Sequence, residues 1–151
     1  MRRRDRNIED ESVIREILEK GIVCHLGLHD GQYPYVVPMS YGYRDGRFYV
    51  HCAREGRKID ILERDDRVCI QVDADARIVR GEPSCRWSMK YRSVIGFGRA
   101  RILEGEEDRK AGLDVIMAHY GEGGGDYDEK SLRATCVIEI RIERMTGKQS
   151  L

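Results

Sequence analysis

The stretch FYVHCAREGRKIDIL, Phe48–Leu62, changes its period in the middle. Side chains alternate across a strand, so Phe48 and Val50 share one face while Tyr49 and His51 share the other. Arg54–Gly56 breaks that alternation, and Ile59 and Leu62, three apart, suit one face of a short helix. Gly56, Arg57 and Lys58 therefore fall where a strand gives way to a helix N-terminus. The first N–H groups of a helix lack intrahelical partners and its dipole favours anions. Two adjacent cations complete the chemistry of a phosphate cradle, with His51 at its lip. A solvated basic turn would read the same way, and periodicity alone leaves both readings open.

Upstream, Asp45-Gly46 is a hairpin turn, preceded by a strand over Tyr33–Tyr43 that contains Pro34 and Pro38. Proline donates no ladder hydrogen bond, so this strand is expected at a sheet edge or bulged near Pro38, with backbone groups left free. Asp30-Gly31 is the turn before it, following a strand over Ile22–His29 with Val23, Leu26 and Leu28 buried. An opening helix is capped by Asp10 or Ser12, carries Ile14, Ile17 and Leu18 inward, and stops at Gly21.

Downstream, Val68–Val72 reads as a strand and Asp73–Pro83 as a loop or ragged hairpin. Trp87–Tyr91 leads into a strand over Ser93–Leu103, where Gly96, Gly98 and Ala100 share one face. Such a face admits close approach by another backbone, a flat ligand or a second subunit. Glu106–Tyr120 is a helix with Leu113, Ile116, Met117 and Tyr120 on its apolar stripe. Residues 121–130 form a glycine-rich connector, expected to be flexible, and Cys136–Glu143 alternates as a half-buried strand. About six short strands with tight turns and too few helices for crossovers predict a mainly β (α+β) fold, a small antiparallel barrel.

The 151 residues suit one domain over 1–151, with 1–10 as a solvated arm. Lys and Arg number 27 against 27 Asp and Glu, and this neutral balance argues against a nucleic-acid partner. No apolar run approaches the ~18 residues of a membrane span, and no apolar core follows the basic N-terminus, so no membrane partner is expected. Five scattered cysteines, an odd number, fit free thiols in a cytoplasmic protein. Cys24-His25 and His51-Cys52 are adjacent pairs whose side chains point to opposite faces, so no metal site is expected. Cys52 or Cys85 as a nucleophile finds no local support. Arg57, Lys58, Lys90 and Arg92 lie near aromatic or small-residue strands, which suits an anionic group carried on a planar ring, and Tyr41, Trp87 and Tyr91 could pack beside it.

The ordered set PYVVPMSYGY (34–43), FYVHCAREGRKIDIL (48–62), VCIQVD (68–73) and WSMKYRSVIGFGRARIL (87–103), with segment 3–10 and IMAHY (116–120), resembles the flavin-nucleotide-binding group related to pyridoxamine 5′-phosphate oxidase. Within it the sequence is most similar to the nitroimidazole-resistance (Nim) type. The resemblance implies a six-stranded split β-barrel with flanking helices, a homodimer, and FMN in the groove between subunits. It assigns Gly56, Arg57 and Lys58 to the FMN phosphate and Val37, Pro38, Met39 and Ser40, with Tyr41 beside them, to the isoalloxazine ring. Lys90, Tyr91, Arg92, Ser93 and Val94 match the segment lining the groove, contributed by either subunit. His51 matches a histidine near the flavin that is linked to activity, and imidazole exchanges protons near neutrality. One departure is Gly56-Arg57-Lys58 where true pyridoxamine phosphate oxidases have Ser-Arg-Lys; another is an ending, GKQSL, without their substrate-binding segment. Both argue against oxidation of pyridoxamine phosphate. The expected function is reduction of a small electron acceptor, such as a nitroaromatic or quinone, by an FMN protein. The rival is a flavin-binding carrier or redox sensor without its own substrate, and haem or F420 on the same barrel is a third option.

Overall fold

The computed structural model describes residues 4–121 and 123–151. A 3₁₀ turn at Arg4–Arg6 leads into β1 (Asn7–Ile8), α1 (Glu11–Lys20), β2 (Cys24–His29), β3 (Pro34–Met39), β4 (Tyr41–Arg44) and β5 (Arg47–Ala53). Then come α2 (Arg57–Leu62), β6 (Arg67–Val79), β7 (Ser88–Ile102), α3 (Glu106–His119), α4 (Glu129–Ala134) and β8 (Thr135–Ser150).

The strands form one antiparallel sheet in the order β3-β2-β6-β7-β8-β5-β4, with β1 on β8. Strands β3 and β4 are consecutive in the chain yet stand at opposite ends of that order, with only Ser40 between them. The sheet therefore curls until its two edges meet through a single residue, which is a split barrel. Counting β3–β4 as one strand broken at Ser40, and setting the two-residue β1 aside, gives the six strands expected. Pro34 and Pro38 lie on β3, which pairs only with β2, so their missing donors interrupt no central ladder.

Inside the curl lie Ile17 and Leu18 of α1, Leu26, Tyr41, Phe48, Val50, Ile70, Val72, Ile138 and Ile140, all essentially inaccessible to solvent. Each such aliphatic or aromatic side chain contributes about 1.5–3 kcal/mol by leaving water. Helix α1 is capped as expected: the Asp10 carboxylate accepts from the Ser12 N–H at 2.8 Å, and the Gly21 N–H closes the far end on the Ile17 carbonyl at 2.9 Å.

Several expectations are corrected. In β2 the inward residues are Cys24, Leu26 and Leu28; Val23 precedes the strand and is exposed. Strand β6 runs on to Val79 and pairs with Ser88–Lys90 beyond a bulge between Ala74 and Arg77, so the ragged hairpin is the form that 73–83 takes. On α3 the buried face is Arg109, Gly112, Val115 and Ile116, whereas Met117 and Tyr120 are exposed. Gly112 decides this: a side chain there would lie 2.8 Å from Val137 and 3.1 Å from Tyr49, so the helix rests on the sheet at that point.

Helix α4 was not apparent from the sequence; Asp128 caps it by accepting from the Ser131 N–H at 2.9 Å, so the expected 121–130 connector ends two residues early, and its Glu122 lies outside the described residues. The N-terminal arm is tied down, since Asn7 and Ile8 pair with Lys148 and Gly147 and Ile8 is buried; residues 1–3 of that arm lie outside the described residues.

Gly96, Gly98 and Ala100 face inward, and the structure assigns their smallness to the chain's own packing. A side chain at Gly98 would sit 2.1 Å from the Arg141 carbonyl, where the β7–β8 register shifts, and one at Gly96 would press on Ile142 and Ile70. Among the described residues no helix is long and apolar enough to cross a membrane.

Candidate functional site

Gly56 is the N-cap of α2 with φ 132° and ψ 168°, a conformation open essentially only to glycine. Nothing lies within 4 Å of where its Cβ would be, so the space in front of the turn is open. The Gly56 carbonyl accepts from the N–H groups of Ile59 (2.9 Å) and Asp60 (3.2 Å). The amides of Arg57 and Lys58, one turn earlier, have no place in that helical ladder.

Arg57 extends back over the β2–β3 turn. Its Nη2 pairs with Asp30 Oδ2, and its guanidinium carbon lies 4.7 Å from the centre of the Tyr35 ring. The other Asp30 oxygen accepts from the amides of Gln32 (2.8 Å) and Tyr33 (2.6 Å). Those amides, the Tyr33 bond above all, and Arg57 hold the Asp30 carboxyl well below the usual carboxylate range. Asp30 had read only as a turn residue; its link to the cradle is visible only once β2 and β3 fold over. Lys58 is half-buried and makes no ion pair among the described residues, so its charge remains available.

His51 sits opposite Val137 in the β5–β8 ladder, exposed, and makes no hydrogen bond among the described residues. Strand alternation separates it from Cys52, as it separates His25 from buried Cys24.

Val37 is half-buried, Pro38 and Ser40 are exposed, and Met39 is buried. Because β3 pairs only with β2 and β4 only with β5, the Val37–Ser40 segment passes between the two sheet edges with outer backbone groups unclaimed by ladders. Tyr41 is the exception in the expected set. Its ring is fully buried, and its hydroxyl donates to the Leu18 carbonyl (2.6 Å) and approaches the Gly21 carbonyl at 3.1 Å. A ring in that place serves the core and the end of α1, which corrects its reading as an aromatic beside the ligand. His119 Nε2 adds a 2.7 Å hydrogen bond to the Gly21 carbonyl, and the Tyr120 hydroxyl links the Tyr41 amide to the Ile22 carbonyl. The IMAHY segment thus fastens α3 to the α1–β2 junction.

The segment 90–94 lies elsewhere on the same chain. Lys90, Tyr91 and Arg92 help line a cavity of about 620 Å³ with Asp75 and Gln149, and no cradle residue is among its walls. Ser93 and Val94 are buried within β7. Arg92 is not a free cation: it grips both Glu16 oxygens at 3.1 Å and, through Nε, Asp75 at 2.6 Å. Trp87 is exposed with Arg80 over its ring, 5.7 Å from the centre. One chain therefore does not bring the 90–94 segment to Arg57 and Lys58.

On the outer face of β2, β3, β6 and β7, an open hollow of about 840 Å³ is lined by His25, Gly27, Val36, Cys69, Gln71 and Phe97, among others. Val36 is 60% and Phe97 42% exposed there. This apolar face lies opposite the small-residue face of β7.

This fold defines a split barrel, and the comparison with known proteins agrees with that class. The model of the pyridoxamine 5′-phosphate oxidase family matches residues 10–149, and the chain belongs to that family. It is similar to a candidate 5-nitroimidazole antibiotic resistance protein from Bacteroides thetaiotaomicron, at 33% identity over 95% of this chain and 86% of that one, with a TM-score of 0.85. The flavocytochrome Anf3 from Azotobacter vinelandii has the same fold at 22% identity, with a TM-score of 0.86, over 100% of this chain and 72% of its own. So does an FAD- and haem-binding protein from Mycobacterium smegmatis, at 18% identity, 96% and 73% coverage and a TM-score of 0.85. No curated protein matches the sequence.

Proposed function

We propose that this protein is an FMN-binding oxidoreductase that reduces a small electron acceptor, such as a nitroaromatic compound or a quinone, in a groove completed by a second copy of the chain. The observation that carries the reading is the Gly56–Lys58 turn: a glycine-only conformation facing open space, followed by an oriented Arg57 and a Lys58 that makes no ion pair among the described residues. These residues fit a terminal phosphate, whose charge they would neutralise through charge-assisted hydrogen bonds. The unclaimed backbone of Val37–Ser40 fits the polar edge of a flat heteroaromatic ring. Bound FMN supplies the redox chemistry itself. His51 presents an exposed imidazole that can hand a proton to the reduced acceptor.

Two features support the dimer. Lys90–Arg92 lines a cavity apart from the cradle, so its part in a flavin site requires a partner, and the Val36–Phe97 face offers an apolar surface for one. The expected surface at Gly96–Ala100 is filled by the chain's own core, so the association moves to the opposite face of β7.

The test uses purified protein titrated with FMN, with binding followed by flavin fluorescence. Arg57→Ala with Lys58→Ala should weaken FMN by more than about a hundredfold, two charge-assisted contacts being worth about 1.5–3 kcal/mol each. Unchanged affinity in the double variant removes the cradle assignment. Reduced flavoprotein should then reoxidise in a single turnover with a nitroimidazole or quinone; inertness across such a panel favours a flavin carrier.

A further inference from the structure

The β5–β8 ladder sets Cys52 directly opposite Cys136, and both thiols are free. They lie on the inward side of their strands, Cys52 in line with Phe48 and Val50, Cys136 in line with Ile138 and Ile140. Directly opposed residues of an antiparallel pair have Cα atoms about 4.5–5.5 Å apart, inside the range of about 4.4–6.8 Å that a disulfide spans. The other three cysteines lack this arrangement. Cys24 faces Met39 and Val72, Cys69 faces Gly27 and Phe97, and Cys85 stands exposed on the 3₁₀ turn Ser84–Arg86.

The two sulfurs are inequivalent. Cys136 is buried and Cys52 half-exposed; hydrogen bonding with Cys136 and then the charge of Lys58 lower the Cys52 thiol. The same bond and burial push the Cys136 thiol up. Burial also raises Cys69 and takes Cys24 up to about 12, which leaves both unreactive. A cavity of about 510 Å³, walled by Arg54, Ile59 and Arg109 among others, opens onto Cys136. Arg109 is 7% exposed; its Nη1 donates to the Glu104 carbonyl, while its Nε is the one buried side-chain nitrogen or oxygen without a partner among the described residues. Arg54 and Arg109 share the wall of that cavity with Glu63 and Glu104.

We propose that Cys52 and Cys136 are a redox-active dithiol that hydrogen peroxide converts to an intrachain disulfide, with Cys52 attacked first and Cys136 resolving. The Cys52 thiolate attacks one peroxide oxygen; an S–O bond forms, the O–O bond breaks, and the departing hydroxide takes a proton to become water. Cys136 then attacks the Cys52 sulfur; the S–S bond forms, the S–O bond breaks, and hydroxide leaves with the Cys136 proton as a second water. Two thiols lose two electrons in all, and one peroxide gains them.

The experiment uses the full chain carrying Cys85→Ser, with and without FMN, and one equivalent of hydrogen peroxide. Two thiols per chain should disappear, the intact mass should fall by two hydrogens, and peptide mapping should join the segments holding Cys52 and Cys136. Adding Cys136→Ser should trap a sulfenic acid that dimedone labels at Cys52, while the urea-unfolded chain should label at least about tenfold more slowly. Survival of all thiols, a cross-link between other cysteines, or dimedone on Cys24 or Cys69 overturns the proposal. Should Cys136→Ser fail to fold, the mapped cross-link in the Cys85→Ser chain decides alone.

Discussion

Arg57 is held by Asp30, a residue 27 positions earlier, so the first cation of the cradle is aimed by the β2–β3 turn and not by its own helix. Asp30 is itself fixed by the amides of Gln32 and Tyr33. Asp30→Asn keeps an oxygen for those amides but removes the charge that draws Arg57 into place. Thermal stability should change little, because the pair is partly exposed. FMN affinity should fall by less than about tenfold, whereas Arg57→Ala should cost at least about tenfold, the worth of a charge-assisted contact. Equal losses in the two variants, by fluorescence titration, would mean that Asp30 acts on the ligand directly.

Tyr41 joins three elements, since its ring is in the core, its hydroxyl meets the Leu18 and Gly21 carbonyls, and its amide meets Tyr120. Tyr41→Phe keeps the ring and deletes the hydroxyl. The Gly21 carbonyl retains His119, but the Leu18 carbonyl loses a 2.6 Å partner in a buried setting. A loss of about 1–3 kcal/mol in urea unfolding, with the slope m unchanged, is expected. A neutral result would show that water replaces the hydroxyl.

The sequence carried the β5-to-α2 junction almost residue for residue, because the switch from a two-residue to a three-residue period is local and Gly56 has no side chain to obscure it. It also carried the edge position of β3, since Pro34 and Pro38 exclude a central place whatever the fold. What it could not carry depends on contacts distant in the chain. Tyr41 and a ring-stacking tyrosine are the same residue type, and only the arrival of Leu18 and Gly21 on its hydroxyl separates them. Arg92 looks like a free cation until α1 brings Glu16 and the β6 bulge brings Asp75. The small residues at 96, 98 and 100 signalled close approach correctly, but which surface approaches was settled by the β7–β8 register shift.

Gly56 separates backbone strain from steric fit. Its φ of 132° disfavours any side chain, while the empty space around its Cβ position removes clash as a cause. Gly56→Ala should therefore cost about 1–3 kcal/mol of stability, or else turn the Arg57 and Lys58 amides away and weaken FMN. Calorimetry and flavin titration on one sample distinguish the two. No change in either would mean that the turn relaxes freely.

The Arg92 cluster supplies the pH dependence. Glu16 accepts both guanidinium bonds from Arg92 and a 2.7 Å contact from Lys20, and these partners, Arg92 first, bring its pKa from 4.5 to about 2. A carboxylate with a depressed folded-state pKa binds its proton more tightly in the unfolded chain, so its stabilisation is complete above about 4.5 and is lost as pH falls toward 2. Glu16→Gln removes the charge at every pH. The melting temperature of the variant should lie below that of the natural protein at pH 7, and the gap should narrow from pH 4.5 downward and close near pH 2. The exposure of Glu16 keeps the gap small and makes it shrink with added salt, so the measurement belongs at low ionic strength. A gap that is constant from pH 7 to pH 2 would assign the loss to packing of the Glu16 stem, and Asp75 alone would then hold Arg92.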